Sequence, residues 1–536
     1  MHRYPEYFAH RHADDELDCV PLLAAGLRRA PSRTVAHFDD QAITCHDIAR
    51  HVAQLQRWFA QEGLVPGDRV AVMLGNSADH VHLIYALVLS GLVWVPVNTK
   101  LRAAGLEYLL QHAEPKLLII DDEFDAVTAA IDCAATRRVR IPAFDAREAH
   151  AAFTSPDIGV HDPLCIIYTS GTTGAPKGVV FTHRMMRIAG EAALRVADVR
   201  EGDRLFLWEP LCHIGGAQML LLPFLEAVTL HAAPRFSASQ FWPQIQRARA
   251  TQLHYLGGVL DILMQLPPDA QPDTHTLRVA WGAGVSASAW MAVQARLNVR
   301  LRECYGMTEC SSFATANATG KPGSIGRALP WVEVELLDDE GRPVNDGEAG
   351  EIVLSSKVEG TFLPTYLKNP DATRAALRNG KLHTGDRARR DADGDFFFIG
   401  RQTDSMRVRG ENVSAWEIER IFAEHPAVHA SAAIGVASAI GEQDILLNVQ
   451  FKGEPVDWET MHAWARERLA SFQLPRYYRA VERFELTASE RIKKHLLPRS
   501  VDDAWDRMGK GSGVISLFDT ALGSCDNSPT IDKMNM

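Results

Sequence analysis

The sequence predicts an α/β fold with mostly parallel sheets, and two patterns carry that expectation. The first is helical periodicity that alternates with short, wholly apolar runs. Residues 46–61 place Ile48, Val52, Leu55 and Phe59 on one helical face. Pro66-Gly67-Asp68 then turns the chain into the apolar run 70–74, and 117–120 is another such run, closed by Asp121-Asp122. Short buried strands between helices are the pattern of parallel sheets covered on both faces. The greasiest stretch, 81–97, is broken by Gly91 and Pro96, so it reads as a buried helix to Ser90 and a strand from Leu92, not as a membrane span. The second pattern is a change of texture near residue 320. Residues 332–337, 350–354 and 395–399 read as strands joined by Gly and Asp turns, a β-rich part. A boundary is expected at 400–404, where a new α/β pattern begins. Ser414 followed by Glu417 ahead of Ile418 and Ile421 has capping-box spacing for a helix start.

At roughly 100–200 residues per domain, 536 residues make three or four packed units. The chain is 46% hydrophobic and 23% charged, which excludes global disorder. Fifty-six Lys and Arg against 67 Asp and Glu leave a net charge of −11, which argues against a general nucleic-acid binder but not against a local basic pocket for a polyanionic small molecule. The eight cysteines are scattered without zinc or C-x-x-C spacing, as isolated reduced thiols of a cytoplasmic protein would be. The polar N-terminus predicts no secretory signal.

The strongest local feature is Tyr168-Thr-Ser-Gly-Thr-Thr-Gly-Ala-Pro-Lys-Gly178, which follows the apolar run 164–167. Gly171 and Gly174 free the backbone to aim N–H groups at an anion. Thr169, Ser170, Thr172 and Thr173 add hydroxyls, and Lys177 adds a positive charge. A Walker A loop ends Gly-Lys-Ser/Thr, whereas Lys177 lies between Pro176 and Gly178, so a P-loop phosphotransferase is disfavoured.

This segment resembles the signature loop of the adenylate-forming enzymes: acyl-CoA synthetases, peptide-synthetase adenylation domains and luciferases. The resemblance runs over roughly residues 20–500 and implies that the loop grips the phosphates of ATP. Tyr305-Gly306-Met307-Thr308-Glu309 resembles the second ATP motif, which implies that Thr308 meets a phosphate and Glu309 holds Mg²⁺. Gly282-Ala283-Gly284 resembles the loop packed on adenine and the acyl group. Thr384-Gly385-Asp386 and Gly400-Arg401 resemble the ribose-binding pair. Pro210-Leu-Cys-His213 resembles the substrate-side motif, with His213 between acyl pocket and CoA tunnel as a contact and gating residue. That stretch has no Phe-Asp pair of the kind that binds an α-ammonium group, which makes α-amino acids poor candidates. The run 405–414 resembles the C-terminal loop that swings in for thioester formation, with Arg407, Arg409 and Gly410 lining the pantetheine channel.

Two positions depart from the family pattern. Thr403 stands at the usual hinge residue, next to Asp404. More important, Arg491 in Thr487-Ala-Ser-Glu-Arg-Ile-Lys-Lys494 stands where the family has the lysine that bridges carboxylate and phosphate. Arginine is planar and forked, so the exchange is not conservative. On a strand, Lys493 would share its face, about 6–7 Å away. Arg491 acting alone, Lys493 substituting and impaired adenylation all stay open.

The resemblance is greatest to the carnitine/crotonobetaine–CoA ligase-like group, for which Trp208, Trp242, Tyr255 and Trp281 are candidate walls of an aromatic cage. It implies a large N-terminal domain, 1–400, of two α/β subdomains and a β-rich one. A hinge at 401–404, a small mobile α+β lid at 405–505 and a disordered tail at 506–536 follow. The implied activity is an acid–CoA ligase that uses ATP, Mg²⁺ and coenzyme A and releases AMP and pyrophosphate. The rivals are a stand-alone adenylation enzyme loading a carrier protein, and a nucleotide-binding pseudoenzyme motivated by Arg491. No nucleic-acid partner is expected; the oligomeric state, a homodimer included, stays open.

Overall fold

The computed structural model describes residues 18–131, 136–143, 152–169, 175–285, 287–338, 340–401, 405–438, 441–485, 492 and 494–509. A six-stranded sheet has the order Arg137–Val139, Leu117–Ile120, Arg69–Met73, Val93–Pro96, Pro163–Thr169, Lys177–Thr182, parallel except for the last pair. A nine-stranded sheet has a parallel centre made of Arg300–Tyr305, Val279–Ala283, Gln252–Leu256, Arg204–Leu207 and Thr229–Ala232. Alternation along the strands shows how the two sheets share helices. Val70 and Val72 join one large core with Leu205, Leu207, Val279 and Trp281, whereas Ala71 and Met73 join a separate cluster on the other face. Helix His183–Ala197 lies in that shared core and touches strands of both sheets. Inside that core two fully buried residues of the helix, Arg187 and Glu191, pair with each other at 2.7 Å.

Sequence explains the helix starts. Thr44 accepts from the Asp47 amide and its own N–H donates to the Asp47 carboxylate, a capping box that begins Cys45–Gln61. Ser77 caps Ala78–Leu89 by accepting from the His80 amide. The stretch read as a buried helix and strand is Ala78–Leu89 followed by Val93–Pro96. Among the described residues no helix is long and apolar enough to cross a membrane.

After residue 320 an antiparallel five-stranded sheet forms from Val332–Leu337, Ala349–Ser356, Leu377–Arg378, Lys381–Arg390 and Phe396–Arg401. The hairpin Ser405–Val408/Glu411–Ser414 comes next, then helix Ala415–Ala423 and a four-stranded sheet of Val428–Ala437, Gln443–Phe451, Tyr477–Ala480 and Trp505–Asp506. These elements have their own core, with Met406, Val413, Phe422, Leu447, Trp458 and Tyr478. The side chain of Ser414 lies outside the described residues; Glu417 is half-buried and accepts from Gln473 at 2.7 Å.

One boundary needs correction. Asp506, expected to open the loose tail, ends the last strand, and its carboxylate pairs with Arg476 at 3.1 Å. Residues 510–536 lie outside the described part. The six cysteines described, Cys19, Cys45, Cys165, Cys212, Cys304 and Cys310, are free thiols.

Candidate active site

Ligands of parallel sheets bind beyond the carboxyl ends of the strands, where loops leave in different directions. Here those ends from both sheets open on one cavity of about 2550 Å³. It is lined by Asn76, Thr169, Glu209, Gly284 and Thr308, each just past or at the end of a strand, and on the far side by the 405–414 hairpin.

The two phosphate motifs come together. Thr169 ends its strand and Lys177 begins the antiparallel partner, so the two residues pair in register across the loop. Residues Ser170, Gly171, Thr172, Thr173 and Gly174 of that loop lie outside the described residues. The Lys177 ammonium sits 4.5 Å over the Tyr366 ring. Thr308 and Glu309 open the short helix Thr308–Cys310, and Glu309 Oε1 accepts from Thr169 Oγ1 at 3.4 Å and from the Tyr366 hydroxyl at 2.8 Å. Burial, then the Glu309 charge, raises the Tyr366 pKa, so the phenol stays protonated and keeps donating. A buried carboxylate among hydroxyl oxygens is the hard donor set that suits Mg²⁺. Gly306 has no room for a side chain: a Cβ there would lie 1.8 Å from the Ser312 carbonyl oxygen.

Strand register joins the two motifs that resemble a ribose-binding pair. Asp386 and Arg401 lie directly opposite each other on antiparallel strands, so these motifs are brought side by side. Asp386 Oδ2 accepts from the Tyr305 hydroxyl at 2.7 Å, and Phe398 stacks on the Tyr305 ring with centroids 6.0 Å apart. The side chain of Arg401 is outside the described part. Gly282 and Ala283 end the strand Val279–Ala283. A Cβ at Gly282 would lie 1.9 Å from the Tyr255 carbonyl oxygen, so the strands approach too closely for any other residue. The turn after it is fixed by Glu303, which accepts from the Gly284 amide and, at 2.6 Å, from the Tyr255 hydroxyl. Burial pushes the Glu303 pKa up to about 7 against those hydrogen bonds.

The hairpin enters the cavity. Arg409 and Gly410 form its two-residue turn, with φ of +50° and +79°. The Arg407 amide donates to Gln443 at 3.0 Å and the Gly410 amide to Glu442 at 2.8 Å, which tie the hairpin to its own sheet. Glu411 then reaches across to the large domain. It meets His213 at 3.0 Å, Lys100 at 3.3 Å and Asn98 at 3.4 Å. Burial would raise its pKa, but the His213 charge and hydrogen bond, followed by Lys100, hold it well below the usual carboxylate range. For His213 burial works downward, and Glu411 outweighs it, leaving the imidazole pKa raised.

Glu411, Tyr366, Glu303 and Lys100 were not among the sequence candidates. Glu411 lies in the quoted run, but its partners lie in other elements. Of the candidate cage aromatics only Trp208 lines the cavity. Trp242 is buried in a second core, Tyr255 points to that same core and bonds Glu303, and Trp281 is fully covered, with His254 stacked on it at 4.0 Å. Phe236 and Phe313 take their place. Arg491 and Lys493 lie outside the described residues.

Comparison with known proteins accounts for this arrangement. Residues 23–366 match the AMP-binding enzyme family and 417–491 its C-terminal domain. The chain belongs to the AMP-binding enzyme family, as an AMP-forming acyl-CoA synthetase. A relative in the family, crotonobetaine/carnitine–CoA ligase of Escherichia coli O7:K1, is 30% identical over 455 residues, which cover 80% of this chain and 88% of that one. Among solved family structures, a double mutant of o-succinylbenzoate CoA synthetase from Bacillus subtilis with a product analogue, OSB-NCoA, superposes with a TM-score of 0.79 at 23% identity, covering 88% of this chain and 97% of that one. The same synthetase in complex with its acyl-adenylate intermediate gives 0.65, also at 23% identity, over 89% and 97%. The large N-terminal and small C-terminal domains are thus the family's fold.

Proposed function

We propose that this synthetase activates a small carboxylic acid at the Thr169–Lys177–Glu309 corner and hands it to coenzyme A along the channel closed by the 405–414 hairpin. The observation that carries the reading is the hairpin itself, docked in the cavity with Glu411 on His213. In the Bacillus synthetase the better superposition is likewise with the CoA-analogue complex.

In the first half-reaction a carboxylate oxygen of the acid attacks the α-phosphorus of ATP. The bond from that phosphorus to the bridging oxygen breaks, and pyrophosphate leaves. Lys177, Thr169, Thr308 and the 170–174 loop bind and orient the phosphates. Glu309, with Thr169 and Tyr366 beside it, would hold Mg²⁺, which when bound offsets phosphate charge. Asp386 and Arg401 hold the ribose, and Gly282 to Gly284 pack on adenine and the acyl group. Arg491, or Lys493 after a small shift, completes the charge at the reacting carboxylate.

In the second half-reaction the CoA thiolate attacks the acyl carbonyl, the bond from carbonyl carbon to phosphate oxygen breaks, and AMP leaves. Arg407, Arg409 and Gly410 line the pantetheine path, and His213 gates it. The two steps need two placements of the C-terminal domain, with 401–404 as hinge between residues 1–400 and the lid. Isolated thiols fit a cytoplasmic setting.

A carboxylic-acid panel assayed for AMP and pyrophosphate, with and without CoA, tests the reading. Acid-dependent pyrophosphate and a CoA thioester are expected. A thioester formed only on a holo carrier protein would assign the acceptor differently. ATP binding without acid-dependent pyrophosphate would favour the pseudoenzyme. If Lys493→Ala leaves adenylation untouched while Arg491→Lys alters it, Arg491 is the working cation.

A further inference from the structure

The cavity lining also holds a pair that the chemistry above does not use. Glu209 follows the strand Arg204–Leu207, and His254 lies on the neighbouring strand Gln252–Leu256. Both line the cavity beside Trp208, Phe236 and Phe313. Their side chains are 7% exposed each, and the Glu209 carboxylate meets His254 Nδ1 in a short hydrogen bond. The imidazole has little freedom: it stacks on Trp281 with centroids 4.0 Å apart and meets the Phe313 ring edge-on at 6.4 Å. Burying such a pair costs more than burying apolar side chains of the same size. Trp208 Nε1 donates to the His254 backbone carbonyl at 2.7 Å and so does not bond the pair's own side chains.

We propose that Glu209 and His254 select the acid, admitting carboxylic acids that carry a hydrogen-bond-donating group, a hydroxyl or a primary amine, at the end remote from the carboxylate. The proposal rests on the acid-activating reading above. In the tautomer whose Nδ1–H donates to Glu209, the imidazole keeps Nε2 as an acceptor on the cavity lining, free to meet a substrate. A substrate hydroxyl or N–H fills that position. An apolar terminus packed against that acceptor would cover it without pairing it, the situation in which sites built to bond a polar group discriminate best. A second carboxylate would face Glu209. A quaternary ammonium has no hydrogen to donate. Trp208, Phe236 and Phe313, which line the same cavity, favour a flat, aryl body.

The test compares five acids that differ only at the para position of 3-phenylpropanoate: hydrogen, hydroxyl, amino, carboxylate and trimethylammonio. Acid-dependent pyrophosphate release gives kcat/KM for each. The wild type is expected to prefer the hydroxyl or amino acid over the parent by at least tenfold, and the better of the two names the donor. His254→Leu is expected to collapse that ratio to near one, whereas His254→Asn, which keeps an acceptor, is expected to restore part of it. Because the readout is a ratio within one variant, a loss of fold or expression does not imitate it. Equal rates across the series, a preference for the carboxylate or trimethylammonio acid, or an unchanged ratio in His254→Leu would overturn the selection by this pair alone. Absence of acid-dependent pyrophosphate with these acids and with a broad panel would overturn the acid-activating reading, and this inference with it.

Discussion

Glu411 keeps its charge in a place where burial alone would favour the protonated acid, and His213 and Lys100 are the reason. The direction of each shift fixes the pH dependence. The His213 pKa is raised, so its contribution is complete below the ordinary histidine value of about 6.5 and is lost as pH rises through the raised one. The Glu411 pKa is depressed, so its contribution is complete above the ordinary value of about 4.3 and is lost as pH falls through the depressed one. Docking of the hairpin is therefore firmest between those two ordinary values, and Lys100 preserves part of it in alkali. Because the His213 and Lys100 side chains are 41% and 47% exposed, solvent screens both bonds, and the loss on removing the Glu411 charge is about 1–2 kcal/mol, a factor of 5–30. Glu411→Gln should slow thioester formation from preformed acyl-adenylate by that factor at pH 6 and by less at pH 9, measured as the ratio to wild type so that thiol ionisation cancels. A ratio that is flat with pH would separate His213 from the effect. Sequence could place His213 and the 405–414 run separately at this cavity, but their meeting through Glu411 depends on how two distant elements dock, which no spacing in the chain encodes.

Elements were the more legible scale, because periodicity is a local property. The helix read over 46–61 is Cys45–Gln61, and the run at 117–120 is a buried strand of the same bounds. Thr44 and Asp47, three residues apart, set that helix start. What periodicity could not show was the partner of each strand: Trp505–Asp506 is too short to register as an element, and only Tyr477–Ala480 and Arg476 give it one. The hairpin is where local rules and function meet. A two-residue hairpin turn needs positive φ at both central residues, and Gly410 takes the larger one. A Cβ at Gly410 would come within 3.1 Å of Leu256 Cδ1, on the cavity wall. Gly410→Val adds both backbone strain and that contact, at about 1–2 kcal/mol for the left-handed conformation alone. It should reduce the CoA-dependent half-reaction at least tenfold and leave acid-dependent pyrophosphate release within twofold of wild type. Equal losses in both half-reactions would place the hairpin outside the thioester step.

The whole molecule joins a large α/β body to a small domain that has its own core, and a separate core lets a domain move as a unit. The net charge of −11 hid the relevant electrostatics, since Lys100, Lys177, Arg407 and Arg409 all line one cavity in an otherwise acidic chain. The proposed function asks for two arrangements around that cavity. With the hairpin docked, Glu411 is engaged by the large domain, and the proposed adenylation step asks the same small domain to bring Arg491 or Lys493 to the phosphate corner in another placement. The hairpin offers its own reporter, because Arg407 and the exposed Arg409 are trypsin sites at its tip. ATP with a turned-over acid but no CoA should accelerate cleavage at these residues, because it favours release of the hairpin. A non-hydrolysable CoA product analogue should slow cleavage, because it favours docking, and Glu411→Gln should narrow the difference between the two. Cleavage that is fastest with the CoA analogue would reverse the assignment, making the docked hairpin the adenylating arrangement and removing the main support for its place in the thioester step.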